Sequence, residues 1–572
     1  MARRLPLVLT AAVVVAAAPW LLIGLGAAPF DDPGEGMHAE IARELRAGGH
    51  PLDLRLNGVR YVDKPPLLYV LLAGAFAVAG ESEAVARAVP AVAALAGVGA
   101  VAWLGTRLLG PAGGVLAGGA LLSSIGFYAY GRYVRPETLF VAALAWGFAL
   151  ALVGLVEARP ALVVAGLAGF GLAALAKDPL GALGPPAILG LGLALGGRAR
   201  PLRRWLPAGG VVAAVALGFG WWALVELRSP GFTWYTVVDN HLLNVARARH
   251  FPDEDVPLSA LEFLIVAGVG AAPWIITAAV AVVALLRRGR WREPGEAPWL
   301  VLALWALAVL GLTTLSAFRL PHYGLPAYPA IALLAARGWL QGPRRALIFM
   351  HLVAFAALAV ACGMLWAGSS EQFASQVLDA TDVATRKAAE AGHATAPPWE
   401  TIRLLLGATA LIFTVAAGGL GFLALGHARA AGPWAPALVL ATMIAVLPAV
   451  GAGLAAVAAH RAVRTLAMEV ARQAAPNDLI VHEGPLENSG ALEWYAQRRP
   501  VIVDGRRSVL AFGATFDGAA DVLWERERLR QAWDGRRVWL VTVRAPARSV
   551  AAELPGARLV AEAGGRRLYV NR

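Results

Sequence analysis

The chain has 572 residues, 58% of them hydrophobic, with 63 Gly, 19 Trp and a formal net charge of +12. A mean hydropathy of +0.61 excludes an ordinary soluble globular protein and indicates many apolar helices in a bilayer. The basic excess does not call for nucleic acid, because in a polytopic membrane protein it gathers in cytoplasmic loops. The single cysteine, Cys362, lies in an apolar run and permits no intramolecular disulfide.

Arg3-Arg4 precede an apolar stretch, and residues 1–28 are predicted as a first membrane helix entering from the cytoplasm. A polar stretch follows, FDDPGEGMHAEIARELRAGGHPLDLRLNGVRYVDKPPLL, residues 30–68. Charged groups beside lipid are expensive and mark a polar substrate or ion. Asp32-Pro33-Gly34-Glu35 has the form of a helix start, with Asp as N-cap, Pro at the first helical position and Glu at N3. Met37, Ile41 and Leu45 recur every four residues, with Glu40, Arg43 and Glu44 opposite them. An amphipathic helix lying in the membrane interface is therefore predicted. Gly48-Gly49 ends it. The loop closes on Asp63-Lys64-Pro65-Pro66, where Pro65 holds Lys64 extended. The apolar run 67–79 is too short to span and is predicted as a second interfacial helix.

Further spans are predicted at 84–107, 112–131, 136–156, 159–176, 179–197, 204–227, 259–286, 298–315, 323–340, 345–367, 401–426 and 433–458, about thirteen in all. With the N-terminus inside, the strongly basic short loops fall on the cytoplasmic side: Arg198–Arg204, Arg287–Arg292, Arg344-Arg345 and Arg429. An odd count places the C-terminal region outside. From about residue 460, DLIVHEG, RPVIVDG, RVWLVTVR and RRLYVNR have the pattern of short strands separated by helical stretches, a small α/β domain. The expected fold is thus a polytopic α-helical membrane domain, 1–458, with a first extracytoplasmic loop at 29–66, followed by an extracytoplasmic α/β domain, 459–572.

The polar residues collect on one side. Asp31 to Lys64, Arg132-Tyr133-Val134-Arg135-Pro136-Glu137, Lys177-Asp178, the 228–258 loop and Arg319-Leu320-Pro321-His322-Tyr323 are all predicted to face outside. Cations meeting a few carboxylates at one membrane surface suit a lipid-linked phosphate. The sequence contains three lysines among 50 Lys and Arg, and Lys64 and Lys177 each stand near a proline at a predicted boundary. A compact ammonium is not interchangeable with a guanidinium, which favours a chemical reason for both.

These segments resemble the loops of the GT-C glycosyltransferases, more narrowly the bacterial aminoarabinose–lipid A transferase and protein O-mannosyltransferase-related group. The matching pieces are His38-Ala39-Glu40-Ile41-Ala42-Arg43-Glu44, Asp63-Lys64-Pro65-Pro66, Arg135-Pro136-Glu137, Lys177-Asp178-Pro179, the His241 to Arg247 segment and Arg319-Leu320-Pro321-His322-Tyr323. The resemblance implies transfer of a sugar, with inversion, from a polyprenyl-phosphate carrier to a lipid, glycan or protein acceptor outside a bacterial cytoplasmic membrane, with no nucleic-acid partner. It implies donor-phosphate contacts from Lys64, Lys177, Arg135, His241, Arg247 and Tyr323. It leaves room for a divalent metal ion at Asp63 and His322, although no spacing demands one.

The sequence departs from the family in its first loop. The family's favoured base is an Asp where this chain has Gly34, so Glu35, Asp32, Asp31 and Glu137 are the remaining candidates, with Glu35 preferred for its register. Asp32 and Glu35 also suit a capping box. A phosphate acceptor, already anionic, would need no base. A transporter of lipid-linked sugar is the alternative, and would show broken helices with midplane charges.

Overall fold

The structure, a computed structural model, describes residues 5–244, 246, 248–390, 395–425 and 432–572. Arg3, Arg4, Arg247 and Arg429 lie outside the described residues. The membrane part begins with α1 (Leu5–Leu22), α2 (Gly34–Arg46), the two-residue strands β1 (Arg55–Leu56) and β2 (Val59–Arg60), α3 (Leu67–Ala79) and α4 (Glu83–Leu109). It continues with α5 (Pro111–Ser123), α6 (Ile125–Gly131), α7 (Glu137–Val156), α8 (Pro160–Ala176), α9 (Leu180–Leu195) and α10 (Ala208–Arg228). A π-helical stretch, Trp234–Leu243, leads to α11 (Ala260–Gly270), α12 (Trp274–Leu286), α13 (Ala297–Leu315), α14 (Tyr328–Gln341) and α15 (Arg344–Ala367). After the short α16 (Ser370–Phe373), α17 (Asp379–Thr381) and α18 (Val383–Glu390) come α19 (Trp399–Leu425) and α20 (Trp434–Arg461).

Each of the thirteen predicted spans falls on helix. Among the described residues, α1, α4, α7, α10, α13, α15, α19 and α20 are each long and apolar enough to cross a membrane. Two bent pairs, α5–α6 by 68° and α11–α12 by 101°, have the form of broken spans or re-entrant loops. The remaining three segments are shorter, with 17, 16 and 14 residues in α8, α9 and α14. Broken spans were not expected from the sequence. Their breaks, at Ser124 and at Ala271-Ala272-Pro273, carry no charged residue.

Small residues let the helices that carry the site approach closely. A Cβ on Gly147 of α7 would lie 2.4 Å from the Phe170 ring, and one on Gly166 of α8 would lie 2.7 Å from the Ala151 backbone. α7 and α8 consequently pack as an antiparallel hairpin. The start of α7, Glu137, and the residue after α8, Lys177, come to the same end.

The C-terminal region starts with α21 (Arg464–Gln473) and β3 (Leu479–Glu483), then α22 (Gly490–Ala496), β4 (Val501–Val503), α23 (Ala519–Val522), β5 (Leu523–Trp524), α24 (Arg526–Gly535), β6 (Val538–Thr542), β7 (Arg558–Ala563) and β8 (Arg566–Val570). The six-stranded sheet has the order β5-β4-β3-β6-β8-β7. Its first four strands are parallel, with Val481 opposite Val501 and Leu540. β8 runs antiparallel to both β6 and β7. The four strands expected from the sequence are β3, β4, β6 and β8. The two-residue β5 and the half-exposed β7 carry too little apolar pattern to have been predicted.

The sheet region is clamped onto the first loop. Tyr495 Oη accepts a hydrogen bond from the Phe30 amide at 2.8 Å and donates to Glu83 at 2.8 Å. Asn57 Nδ2 donates to the Pro500 carbonyl at 2.8 Å, and the Trp494 ring meets Phe30 edge-on at 5.2 Å. α2 lies backbone to backbone on α22: a Cβ on Gly36 would sit 2.5 Å from Ala491 Cβ, and one on Gly490 2.6 Å from Met37 Cα. The polar side of α2, expected to face solvent, is therefore covered, and Glu40 is only 1% exposed.

From the membrane side, Arg87 of α4 fixes the same loop. Its Nη2 lies 2.5 Å from Glu35 Oε2 and its Nε 2.8 Å from Oε1, while Nη1 donates to the carbonyls of Leu25 and Ala28. Both partners are buried, so leaving one without the other exposes the full desolvation cost of a charge. Arg87→Met is expected to destabilise the protein by about 3–5 kcal/mol. Thermal unfolding in lipid nanodiscs should show the Arg87→Met/Glu35→Leu double variant recovering part of that loss. A single variant no worse than the double would remove the pair as the tie.

Candidate active site

Glu137 is the first residue of α7, where the helix N-terminus favours a negative charge. Around it stand Lys177 Nζ at 3.2 Å, Arg135 Nε at 3.4 Å and His322 Nε2 at 3.3 Å. Pro136 keeps Arg135 next to the helix start, and the short 3₁₀ stretch Pro321–Ala327 before α14 delivers His322 and Tyr323. Lys177 Nζ also lies 5.3 Å from the Tyr323 ring centre. Lys64 is paired with its neighbour Asp63 at 2.6 Å, and His241 Nε2 with Asp178 at 3.1 Å.

Each cation is held by a carboxylate, but depth separates them. Glu137 and His322 are buried at 2% exposure, whereas Lys64, Arg135, Lys177 and His241 keep 27%, 24%, 15% and 33% of their side chains exposed. Glu137 forms a floor, and the cations look outward from it. Burial lowers the Lys177 ammonium, with Lys64 and Arg135 adding to that effect and Glu137 opposing it. Burial would also lower Lys64, but Asp63, Asp178 and Glu137 together raise it. The hydrogen bond to Asp178 raises His241 against the effect of burial. The structure therefore brings together Lys64, Lys177, Arg135, His241, Tyr323, Glu137, Asp63 and His322. Arg247 lies outside the described residues. Arg319 is engaged with the carbonyls of Leu258 and Thr314 rather than with the cluster.

The first-loop carboxylates are placed differently. Both oxygens of Glu35 are taken: Oε1 by Arg87 and the Val134 amide at 3.1 Å, Oε2 by Arg87 and the Asp31 amide at 2.9 Å. Asp31 receives Arg461 Nη2 at 2.6 Å and Nε at 2.9 Å, and the Tyr133 hydroxyl at 2.9 Å. Asp32 pairs with Arg566 Nη2 at 2.7 Å. Burial pushes its carboxyl up to about 6 against the pull of Arg566. The expected capping box is not formed. Pro33 is the N-cap of α2, with no side-chain cap, because ion pairs to distant arginines outcompete the local bonds. Tyr133 occupies the space beside Gly34, where a Cβ would lie 2.5 Å from its hydroxyl.

Arg87, Arg461, Arg566, the Tyr133–Asp31 hydrogen bond and the His38–Tyr69 hydrogen bond at 2.8 Å were not anticipated. An Arg set inside the apolar length of a span, as Arg87 is between Glu83 and Arg107 at the ends of α4, is the signal that could have found one of them. Three or more His, Cys, Asp or Glu side chains close enough to share an ion occur, among the described residues, at Glu40, Glu44 and Glu493. Asp63 and His322 do not form such a set; Asp63 faces Lys64 and His322 faces Glu137.

Residues 63–222 match the family described as dolichyl-phosphate-mannose-protein mannosyltransferase. Among the curated proteins the chain has no significant match. Of the solved structures, the chain is similar to ArnT from Cupriavidus metallidurans bound to undecaprenyl phosphate, with TM-score 0.79 and 22% identity over 99% of this chain and 98% of that one. For the apo state of the same protein the TM-score is 0.78 and the identity 23%, over 100% of this chain and 99% of that one. The resemblance carried by the loop motifs thus holds at the level of the whole architecture: this chain is a polytopic membrane protein with the GT-C fold, in the form seen in ArnT.

Proposed function

We propose that the protein transfers a glycosyl group from a polyprenyl-phosphate-linked donor to an acceptor at the extracytoplasmic face of a bacterial cytoplasmic membrane, with inversion. The observation that carries this reading is the outward-facing set Lys64, Arg135, Lys177 and His241 around buried Glu137. The match of residues 63–222 to a family named for a lipid-phosphate sugar donor, and the undecaprenyl phosphate bound by the ArnT structure, support it. The positive-inside pattern supports the orientation, with the C-terminal sheet outside.

In this reading the bond from the sugar's anomeric carbon to the phosphate oxygen breaks, and its electron pair passes to the phosphate. An acceptor oxygen bonds to the same carbon from the opposite face. Lys64, Lys177 and Arg135, already oriented by Asp63 and Glu137, stabilise the growing phosphate charge without reorganising. Glu137 positions cations rather than serving as a free base, since both its oxygens are engaged, Oε2 by Arg135 and Oε1 by Lys177 and His322. Asp31, Asp32 and Glu35, the other base candidates, are committed to Arg461, Arg566 and Arg87. The carboxylate arrangement therefore favours an acceptor that arrives already anionic. The bent α5–α6 and α11–α12 do not favour transport, because the charged groups a transporter would place at such breaks are missing there.

Lys64→Ala and Lys177→Ala should each lower the transfer rate by about 10²–10³ with the fold intact, and Lys→Arg should keep part of it. Full activity in both alanine variants would remove them from the site. Asp31→Asn and Asp32→Asn are expected to lose less than about 10-fold, whereas a general base typically supplies roughly 10²–10⁴. Glu137→Gln should mainly raise KM for the donor; a loss confined to kcat, or a larger loss in Asp31→Asn, would reinstate a base. His241 is raised above 6.5, so its charge is complete below that value and fades as pH climbs through the raised one. Carrier-phosphate affinity should weaken over that rise, and Asp178→Asn should move the break to lower pH. A reporter active only in the cytoplasm, fused after Arg572, should be silent; strong signal would reverse the orientation.

A further inference from the structure

The first-loop helix α2 and the sheet region's α22 meet through three carboxylates that the transfer site does not use. Glu40 and Glu44, one turn apart on α2, face Glu493 of α22, and one oxygen of each lies within 4.8 Å of the others. Two guanidiniums serve this group only in part. Arg43 donates to Glu40 Oε1 through Nε at 3.1 Å and Nη2 at 2.9 Å, and its guanidinium lies 5.3 Å from the Trp494 ring centre. Arg499, half exposed, reaches Glu44 Oε2 and Glu493 Oε1 at 3.3 Å each. The Gly58 amide offers Glu44 a long bond of 3.3 Å. Oε2 of Glu40 and Oε2 of Glu493 are buried and accept no hydrogen bond from any described group. A dry carboxylate oxygen with no donor is costly, and two in one cluster call for a positive partner.

We propose that Glu40, Glu44 and Glu493 hold a hard divalent cation, of the Mg²⁺, Ca²⁺ or Mn²⁺ class, that clips the first loop onto the C-terminal sheet. Two oxygens bound to one such ion at about 2.0–2.6 Å cannot be more than roughly 5 Å apart, which this cluster satisfies. A ligand set made only of carboxylates, without His or Cys, selects these ions over Zn²⁺. The solvent-exposed side at Arg499 admits the waters that complete the shell. The clip sits on the helix that leads into the Lys64 loop, so the ion acts by positioning and takes no part in transfer. A cation binds the deprotonated carboxylates, so its affinity falls as pH falls.

The test uses the full chain in nanodiscs, stripped by chelator and titrated with Mn²⁺ at pH 7.5, reading free Mn²⁺ by electron paramagnetic resonance. One equivalent should bind, slow hydrogen exchange in α2 and α22 before other elements, and bind more weakly at pH 6. Glu40→Gln and Glu493→Gln should weaken it by more than the roughly 10–100-fold typical of an outer-shell change. Asp63→Asn should bind as the native chain does. Equal binding by the native chain and both Gln variants would overturn the proposal, as would loss of the site in Asp63→Asn. Should the Gln variants not fold, the native chain alone decides: exchange in α2 and α22 unmoved by millimolar Mn²⁺, Ca²⁺ or Mg²⁺ rejects the clip. A melting temperature that ignores these ions and falls as pH rises through 7 would identify a proton shared by Glu40 and Glu493 in its place.

Discussion

A buried carboxylate at the start of a membrane helix has to be surrounded by positive charge, and Glu137 sets much of the site at that end of the helices by that requirement. It draws Lys177 from the end of α8 and Arg135 from the turn before α7, and it receives His322 from the turn before α14. The close α7–α8 packing permitted by Gly147 and Gly166 makes the first of these contacts possible. Asp63 and Asp178 repeat the device at Lys64 and His241. Cations arranged before a ligand arrives need little reorganisation when charge develops, which is the economy a phosphate-leaving reaction uses best.

A second set of charges holds the first loop in place. Arg87 grips it from the membrane helices, while Arg461 and Arg566 grip it from the end of α20 and from the β7–β8 hairpin. Arg461 also pairs with Asp382, and Arg566 donates to the Arg461 carbonyl, so one connected network runs from the short helices α17 and α18 through the loop to the sheet. Gly564 lets the hairpin come close: its φ is +58°, and a Cβ there would sit 2.6 Å from the Arg461 carbonyl oxygen.

Much of this was legible in the sequence. Apolar runs located each described helix that is long and apolar enough to cross a membrane, and the alternation after residue 460 gave four of six strands, because burial imposes those periods directly. The loop motifs gathered Lys64, Arg135, Lys177, His241, His322 and Tyr323, since all stand at span ends on one face. What escaped depends on partners far away in the chain. Asp32 and Glu35 have the spacing of a local cap, but Arg566 and Arg87 claim them, and no local pattern discloses an arginine 52 or 534 positions away. The bend at Ser124 interrupts an apolar run without a charge or a proline to mark it. Glu40 looked solvated because its covering surface, α22, comes from the other end of the sequence.

That last feature bears on how the protein comes to be made. Asp31 and Asp32 emerge from the ribosome early, yet their partners Arg461 and Arg566 follow 430 and 534 residues later. Until then the loop holds two buried-to-be carboxylates with no counter-charge, and only Arg87, 52 residues on, is available soon. The membrane helices can insert one after another as they are synthesised, but the loop beside Lys64 can settle only after the sheet has folded across it. Contacts of such long sequence separation are the slow ones to form. Assembly thus has a built-in order in which the apolar scaffold comes first and the polar surface that would meet a substrate is completed last.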